Sequence, residues 1–506
     1  MVPLLWALTV ILLSGFFGQA YSPDSYAYLM LGKNIVSGHG YWSPAIRESV
    51  IGATFNSRTF PPLMPLLVGI TEVLFKQGIV SGFIDNLLIL YGMFHVCYLI
   101  GKRVINKFFY FIIIAAFFFV LINGPFIIEL LAGRSIPLAT LIILSIIYLL
   151  MIKEIRLSTK YAILGVLAGL LYLTRFDASL FCIGLPLIVL LLTKDKFKNL
   201  LIAYLAFAMV ISPWLVSNVM AFGKPFAADQ SILIFSIYDG NAVLRFFNNG
   251  IPTISLNPLL WVNQRVVFIL YSIFILYELI TPFGIIPVVG GAIVIGLFVM
   301  CFTENKKENH LLLLNFITLF WITNNIITVS LTKYSDTRYF SISAFLIVIS
   351  TAIGLASFLI KKKFIYEAPF DDRKTQVKYI FLPIFFAISI VGTTFYLEAA
   401  NIQKNIDAPV FTKIYHDFNS FIGKDDNIVG TESADAISYY SNWKTIYIPY
   451  NTKTPDENFM AWKKSFNVRF LIVKKDSDFI QYKRVKPIAK SDDWVLIDLN
   501  TIDSAP

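Results

Sequence analysis

Charge is scarce in this chain. Only 15% of its 506 residues are Asp, Glu, Lys or Arg, against about a quarter in soluble domains. A surface facing water on every side cannot be built at that density, so a soluble enzyme is excluded. A disordered chain would need more charge and fewer apolar residues, and is excluded as well. Cysteine is nearly absent: Cys97, Cys182 and Cys301 lie far apart in apolar runs, with no CxxC or metal-type spacing. That argues against a disulfide framework and against a zinc site. Glycine and proline show no triplet period, which removes a collagen-like fibre. What is abundant is apolar: 57% hydrophobic, 16% aromatic, with a mean hydropathy of +0.69. The chain reads as an α-helical polytopic membrane protein. Its net charge of +10 would suggest nucleic acid in a soluble protein. Here a positive-inside bias accounts for it, and no nucleic-acid module is visible, so no nucleic-acid partner is expected.

Apolar runs of spanning length, about 17–25 residues with some shorter, fall at 3–20, 79–101, 108–123, 136–152, 160–174, 178–193, 199–217, 284–302, 311–331, 338–360 and 379–397. Stretches 61–76 and 263–281 either cross or lie in the interface, which sets the expectation at about 11–13 helices. With a cytoplasmic N-terminus, the inner loops hold Lys102, Arg103, Lys107, Lys153, Arg156, Lys160, Lys194, Lys196, Lys198, Lys306 and Lys307, and a further basic cluster over 361–378. The short outer loops carry only Arg134, Arg175 and Lys333. That asymmetry fixes the orientation. The first run lacks Lys or Arg ahead of it and is read as a retained helix rather than a cleaved signal. The chain divides into a membrane part, 1–397, with a long first outer loop over 21–78, and a polar C-terminal part, 398–506, on the same outer side. In the latter, 427–431, 445–450, 469–475 and 494–499 are strand-like, and 432–441 and 457–466 suit helices. That β-α-β-α-β order favours an extracytoplasmic α/β domain with a parallel sheet.

The most informative segment is SPDSYAYLMLGKNIVSGHGYW, residues 22–42. Ser22-Pro23-Asp24 is a helix start: a cap, a proline in the first turn, and an acid favoured by the helix dipole. Tyr26, Leu29, Met30 and Ile35 then make an apolar face, closed by Gly38-His39-Gly40. The expectation is an amphipathic helix on the outer membrane surface with Asp24 at its head. Further on, NSRTFPPLMPLL (56–67) sets Arg58 before a Pro-Pro break and a new apolar helix. By themselves these residues are also explained as a helix cap and a snorkelling cation.

The early outer-loop Asp in that context, followed by R-x-x-PPLxPLL, resembles the GT-C membrane glycosyltransferases. These include the dolichyl-phosphate-mannose protein mannosyltransferases and the bacterial lipid A sugar transferases of the RgtA/B/C/D-like group. Three later blocks agree in order. LAGLLYLTRFDA (167–178) is similar to an LTRP element with Phe176 for proline. SPWLVSNVMAFGKPF (212–226) is similar to a PWLLRNYLLFG block with Ser217 where arginine is common. DTRYFSISAFLIVI (336–349) is similar to RYLLPLLP without its prolines. The resemblance implies an integral enzyme of the cell membrane. It would transfer a sugar from a polyprenyl-phosphate-linked donor to an acceptor hydroxyl on the outer face, with inversion. The acceptor is a glycan, a lipid or a protein, and membrane lipids surround the body.

Such a displacement needs a base for the acceptor proton, and phosphate leaves without a general acid, so one carboxylate and cationic clamps suffice. Asp24 is the candidate base; its helix-start position and a nearby arginine favour its ionised form. Arg58, Arg134, Arg175, Lys333 and Arg338 are candidates to hold the donor phosphate. Arg175 beside Asp177 also fits a local structural pair. Glu129 in FIIELLAGRS, His39 and Asp177 are candidates for an acceptor or metal site. No cofactor is evident. A divalent metal stays open, because no ligand cluster is visible and related enzymes differ. The competing readings are a transporter or lipid flippase, for which no internal repeat is found, and a non-catalytic relative acting as a membrane subunit. The clustering of charges at the outer face and the large outer soluble part favour an enzyme over the transporter; Asp24 facing a cavity near the cationic side chains, and not solvent alone, would separate the enzyme from the non-catalytic relative.

Overall fold

The computed structural model describes residues 22–43, 45–46, 60–104 (except 77 and 79), 125–193, 196–226 (except 224), 265–276 in part, 309–332, 337–350 (except 348), 407–423, 428–448, 463–477 (except 465) and 486–501. The expected spans at 3–20, 108–123, 284–302 and 379–397 lie outside them, as do Arg58, Lys333 and the side chain of Arg338.

The membrane body is built from α1 (Pro23–Val36), α2 (Leu63–Phe75), α3 (Val80–Val104), α4 (Pro125–Leu131), α5 (Ile136–Met151), α6 (Leu157–Tyr172), α7 (Ser179–Thr193), α8 (Phe197–Phe222) and α9 (Asn309–Thr332). Among the described residues, Val80–Ile100, Phe197–Phe222 and Leu314–Leu331 are long and apolar enough to cross a membrane. At 1.5 Å per residue, the shortest of them spans roughly 27 Å, close to a hydrocarbon core. Leu63–Phe75, Ile136–Met151, Leu157–Tyr172 and Phe176–Leu191 are shorter apolar helices. α8 shows why these sequences suit lipid. Phe197, Leu201, Leu205 and Met209 recur at four-residue spacing and are all exposed, a stripe water would penalise and acyl chains accept. Leu200, Ala203 and Trp214 on the opposite side are buried. α6 crosses α8 closely because Gly165 lies against the Ala203 backbone, where no Cβ fits, the small-residue packing common in membranes.

The C-terminal part carries α10 (Asp407–Ile422) and α11 (Ala434–Ser441) with a sheet. Its strands are β1 (Ala45–Ile46), β2 (Ile428–Thr431), β3 (Thr445–Tyr447), β4 (Val468–Lys474), β5 (Ala489–Ser491) and β6 (Trp494–Asp498), in the order β1-β3-β2-β4-β6-β5. β2, β3 and β4 are parallel, as the βαβ order requires, and β6 and β5 close the far side antiparallel. Alternate residues of β4 serve opposite faces: Phe470 and Ile472 pack with α10 and α11, while Leu471 and Val473 pack on the other side. β1 was not legible. It comes from the segment between α1 and α2 and adds in parallel to β3, Ala45 opposite Thr445 and Ile46 opposite Ile446.

α1 departs from expectation. It is not an amphipathic helix lying on the membrane surface, because Tyr26 through Leu31 are all buried. Gly32 and Gly69 bring α1 and α2 into backbone contact, where a Cβ on either would collide with the other helix. Tyr28 and Leu29 join the membrane core, and Tyr26 joins the core of the C-terminal sheet. Over 26–32 the helix is sandwiched between two bodies, and only its last turn, from Lys33 on, emerges.

Candidate active site

The site assembles at the N-terminus of α1. Ser22 caps the helix and forms a reciprocal box with Ser25: Ser25 N donates to Ser22 Oγ at 3.3 Å, and Ser22 N to Ser25 Oγ at 3.2 Å. Ser25 Oγ also donates to the Ala132 carbonyl at 2.6 Å, which joins α1 to the turn after α4. Pro23 at the first helical position leaves no N–H to satisfy. Asp24 follows it, only part-exposed, with its carboxylate near the helix's positive end.

The turn after α4 brings Arg134 to this carboxylate. Its Nε lies 3.6 Å from Asp24 Oδ2 and donates to Ser22 Oγ at 2.9 Å, while Nη1 forms a close ion pair with Glu129 Oε1. The turn is held rigidly. Gly133 has φ +64°, and a Cβ there would lie 2.6 Å from the Gly82 backbone, so only glycine fits. Asn86 Nδ2, from α3, donates to the carbonyls of Glu129, Leu130 and Arg134, each at 3.1 Å. It thereby adds a side-chain donor to the carbonyl end of α4, where the Arg134 and Gly133 N–H groups already bond the Glu129 and Leu130 carbonyls.

A second charged pair lies alongside. Between α6 and α7, Arg175 grips Asp177 through Nε–Oδ1 at 2.9 Å and Nη2–Oδ2 at 2.8 Å. Its guanidinium lies 5.1 Å from the Tyr339 ring centroid, a cation–π contact. Burial alone would lower the Arg175 guanidinium, but the Asp177 carboxylate outweighs it and holds the group above its ordinary value. Tyr28 stands between the two pairs, its hydroxyl 3.4 Å from Ser135 Oγ. Burial first, and then the Asp24 charge, push its phenol up to about 12. Two asparagines of α9 fasten this side. Asn324 Nδ2 donates to the Asp177 carbonyl at 2.9 Å, and Asn325 Nδ2 to the Tyr339 carbonyl at 2.8 Å. Tyr339 lies in the 3-10 turn Thr337–Phe340 that also contains Arg338.

Of the sequence-derived candidates, Asp24 and Glu129 thus both face Arg134, and Arg175, paired with Asp177, is in electrostatic reach of Glu129 and of Tyr28. His39 is not part of the group. It is exposed beyond the other end of α1, with its ring Nδ1 2.9 Å from Ser37 Oγ, roughly 20 Å from Asp24 by helix rise. Among the described residues no group of three or more His, Cys, Asp or Glu side chains gathers as a metal site. Sequence reading missed Ser22 as a ligand of Arg134, and it missed Tyr28, Asn86, Asn324 and Asn325. The asparagines had a signal, since an amide inside an apolar run is costly without a partner.

No family model and no curated protein matches the sequence. Solved structures do. The Archaeoglobus fulgidus oligosaccharyltransferase AglB, in complex with an inhibitory peptide and a dolichol-phosphate, is 13% identical over 95% of this chain and 70% of its own, with a TM-score of 0.58. ArnT from Cupriavidus metallidurans, bound to undecaprenyl phosphate, is 10% identical over 99% of both chains, with a TM-score of 0.60. The chain has a GT-C fold. The archaeal enzyme is also known in complex with Zn and sulfate, at 12% identity over 94% of this chain and 68% of its own, TM-score 0.56. In this GT-C fold the acid-bearing α1 and the cation-bearing turns come from separate loops of the membrane body.

Proposed function

We propose that the protein is an integral membrane glycosyltransferase that moves a sugar from a polyprenyl-phosphate donor to an acceptor hydroxyl on the outer face, with inversion at the anomeric carbon. The observation that carries this reading is the convergence of Asp24, Glu129, Arg134 and Arg175 from three separate loops onto one place in a GT-C fold. The lipid phosphates named with the structural neighbours AglB and ArnT support the donor class.

Asp24 takes the acceptor proton as its oxygen attacks the anomeric carbon and the bond to phosphate breaks. Arg134 and Ser22 orient that carboxylate, and Glu129 holds Arg134 from the other side. Arg175, with Arg58, Lys333 and Arg338, receives the charge that grows on the leaving phosphate; Arg134 is already occupied by two carboxylates and contributes less there. Glu129 and Asp177 border the acceptor side. The 1–397 part is then the transferase body, with the 21–78 loop bearing the base. The 398–506 part is a cover on that loop, outside the cytoplasm, with the N-terminus inside.

The test is release of polyprenyl phosphate by purified protein in nanodiscs, offered a panel of undecaprenyl- and dolichyl-phosphate sugars. Turnover by wild type should fall about 10²–10⁴-fold in Asp24→Asn, with the melting profile retained. Equal turnover in the two proteins removes Asp24 from the mechanism.

A further inference from the structure

The zinc named with one structural neighbour raises the question of what balances Asp24 and Glu129 here. We infer that the Arg134 guanidinium stands in the position a divalent cation would otherwise take between these two carboxylates, so that the site works as a built-in, metal-free cation centre. The inference deepens the transferase reading and rests on it for the activity arm of the test alone.

Three observations carry it. The first is occupancy: one guanidinium engages Glu129 Oε1 through Nη1 and faces Asp24 Oδ2 at 3.6 Å through Nε, bridging acids from two different elements as an ion would. The second is rigidity. The side chain is not a snorkelling arm that a metal could sweep aside. Its backbone is fixed by Asn86 on the carbonyl, by its own N–H on the Glu129 carbonyl at 3.0 Å, and by the Gly133–Gly82 approach. The three side chains are only 4–16% exposed. The third is ligand supply. Magnesium or manganese gathers about six oxygens. The described residues offer two carboxylates at this place, each already facing the guanidinium, and no cluster of three ligating side chains. An incoming dication would meet a fixed like charge with both carboxylates already turned to it, and the place opens to a hydrated ion only once that charge is removed. Arg134 meanwhile gives Asp24 a neighbouring positive charge that does not titrate in any working pH range.

Mn2+ is the probe. Its binding to detergent-purified protein is followed by electron paramagnetic resonance for wild type, Glu129→Gln, Arg134→Gln, Arg134→Ala, and the double variant Arg134→Gln with Glu129→Gln. Wild type should take up no stoichiometric Mn2+. Arg134→Gln, near in shape, should acquire a site that the double variant loses, with Arg134→Ala as a second route to the same gain. Stoichiometric Mn2+ on wild type that is lost in Glu129→Gln overturns the inference, as does the lack of any gain in both Arg134 variants. In the transfer assay, EDTA should leave wild-type turnover unchanged; a loss restored by Mn2+ overturns it as well. Absence of turnover with every donor would strike the transferase reading instead, and the Mn2+ titration would still decide the place of the guanidinium.

Discussion

Tyr28 shows how a single buried hydroxyl records the charges around it. Its phenol is pushed up to about 12 by burial and by Asp24, while a tyrosine in an unfolded chain ionises near about 10. The folded protein therefore keeps a proton that the unfolded chain loses, and stability should fall as pH rises from about 10 to about 12, by on the order of 2–3 kcal/mol. Tyr28→Phe should flatten that window, read as a smaller loss of melting temperature between neutral and strongly alkaline buffer than in wild type. At this scale the sequence was half legible. Asp24 announced itself through Ser22-Pro23, and the box with Ser25 confirms the helix start. Arg175 and Asp177 sit two apart and pair as that spacing allows. What Asn86 and Asn324 bond did not show. A lone amide leaves the hydrophobic period of a span intact, and its partners are carbonyls some forty and some hundred and fifty positions away in the chain.

Elements were legible where they are long. The apolar runs at 79–101, 136–152, 178–193 and 311–331 correspond to α3, α5, α7 and α9 within a few residues at most of their ends. Four of the five described C-terminal strands were likewise read from their β-branched cores, and the three-residue β5 was not. The setting of α1 was not, because its apolar residues are spread around the helix by contact with two bodies, and periodicity reports only one covered face. What seats the helix is the pair Gly32 and Gly69, two small residues on different elements that no single-segment pattern links. Gly69→Ala forces a methyl into the Gly32 backbone and should push α1 off α2, costing about 1–3 kcal/mol. The melting temperature in detergent reports the loss, and transfer activity should drop with it because Asp24 rides on the same helix. A shift confined to the surface, with no change in melting, would mean that the two helices tolerate separation.

The described residues form a membrane body and a small α/β unit, fastened together through α1 and the segment that follows it. The fastening runs through aromatic rings: Tyr26 lies 5.5 Å from Tyr439 and 6.0 Å from Tyr440 of α11, and Tyr440 stacks on Phe411 of α10. Lys33 of α1 lies over Tyr439 and pairs with Glu72 of α2 at 3.1 Å. Tyr26→Ala would empty a buried ring site at a cost of about 3–5 kcal/mol. The C-terminal unit should then be cut by a protease at concentrations that leave wild type whole, and transfer should weaken although Asp24 itself is unchanged. β1 adds a different consequence. Residues 45–46 leave the ribosome some four hundred residues ahead of their neighbours in the sheet, 445–446. The segment that follows Asp24 must therefore wait for its strand partner while the residues between them are made. A product stalled or cut before residue 445 carries the acid but lacks the strand beside which that segment is laid.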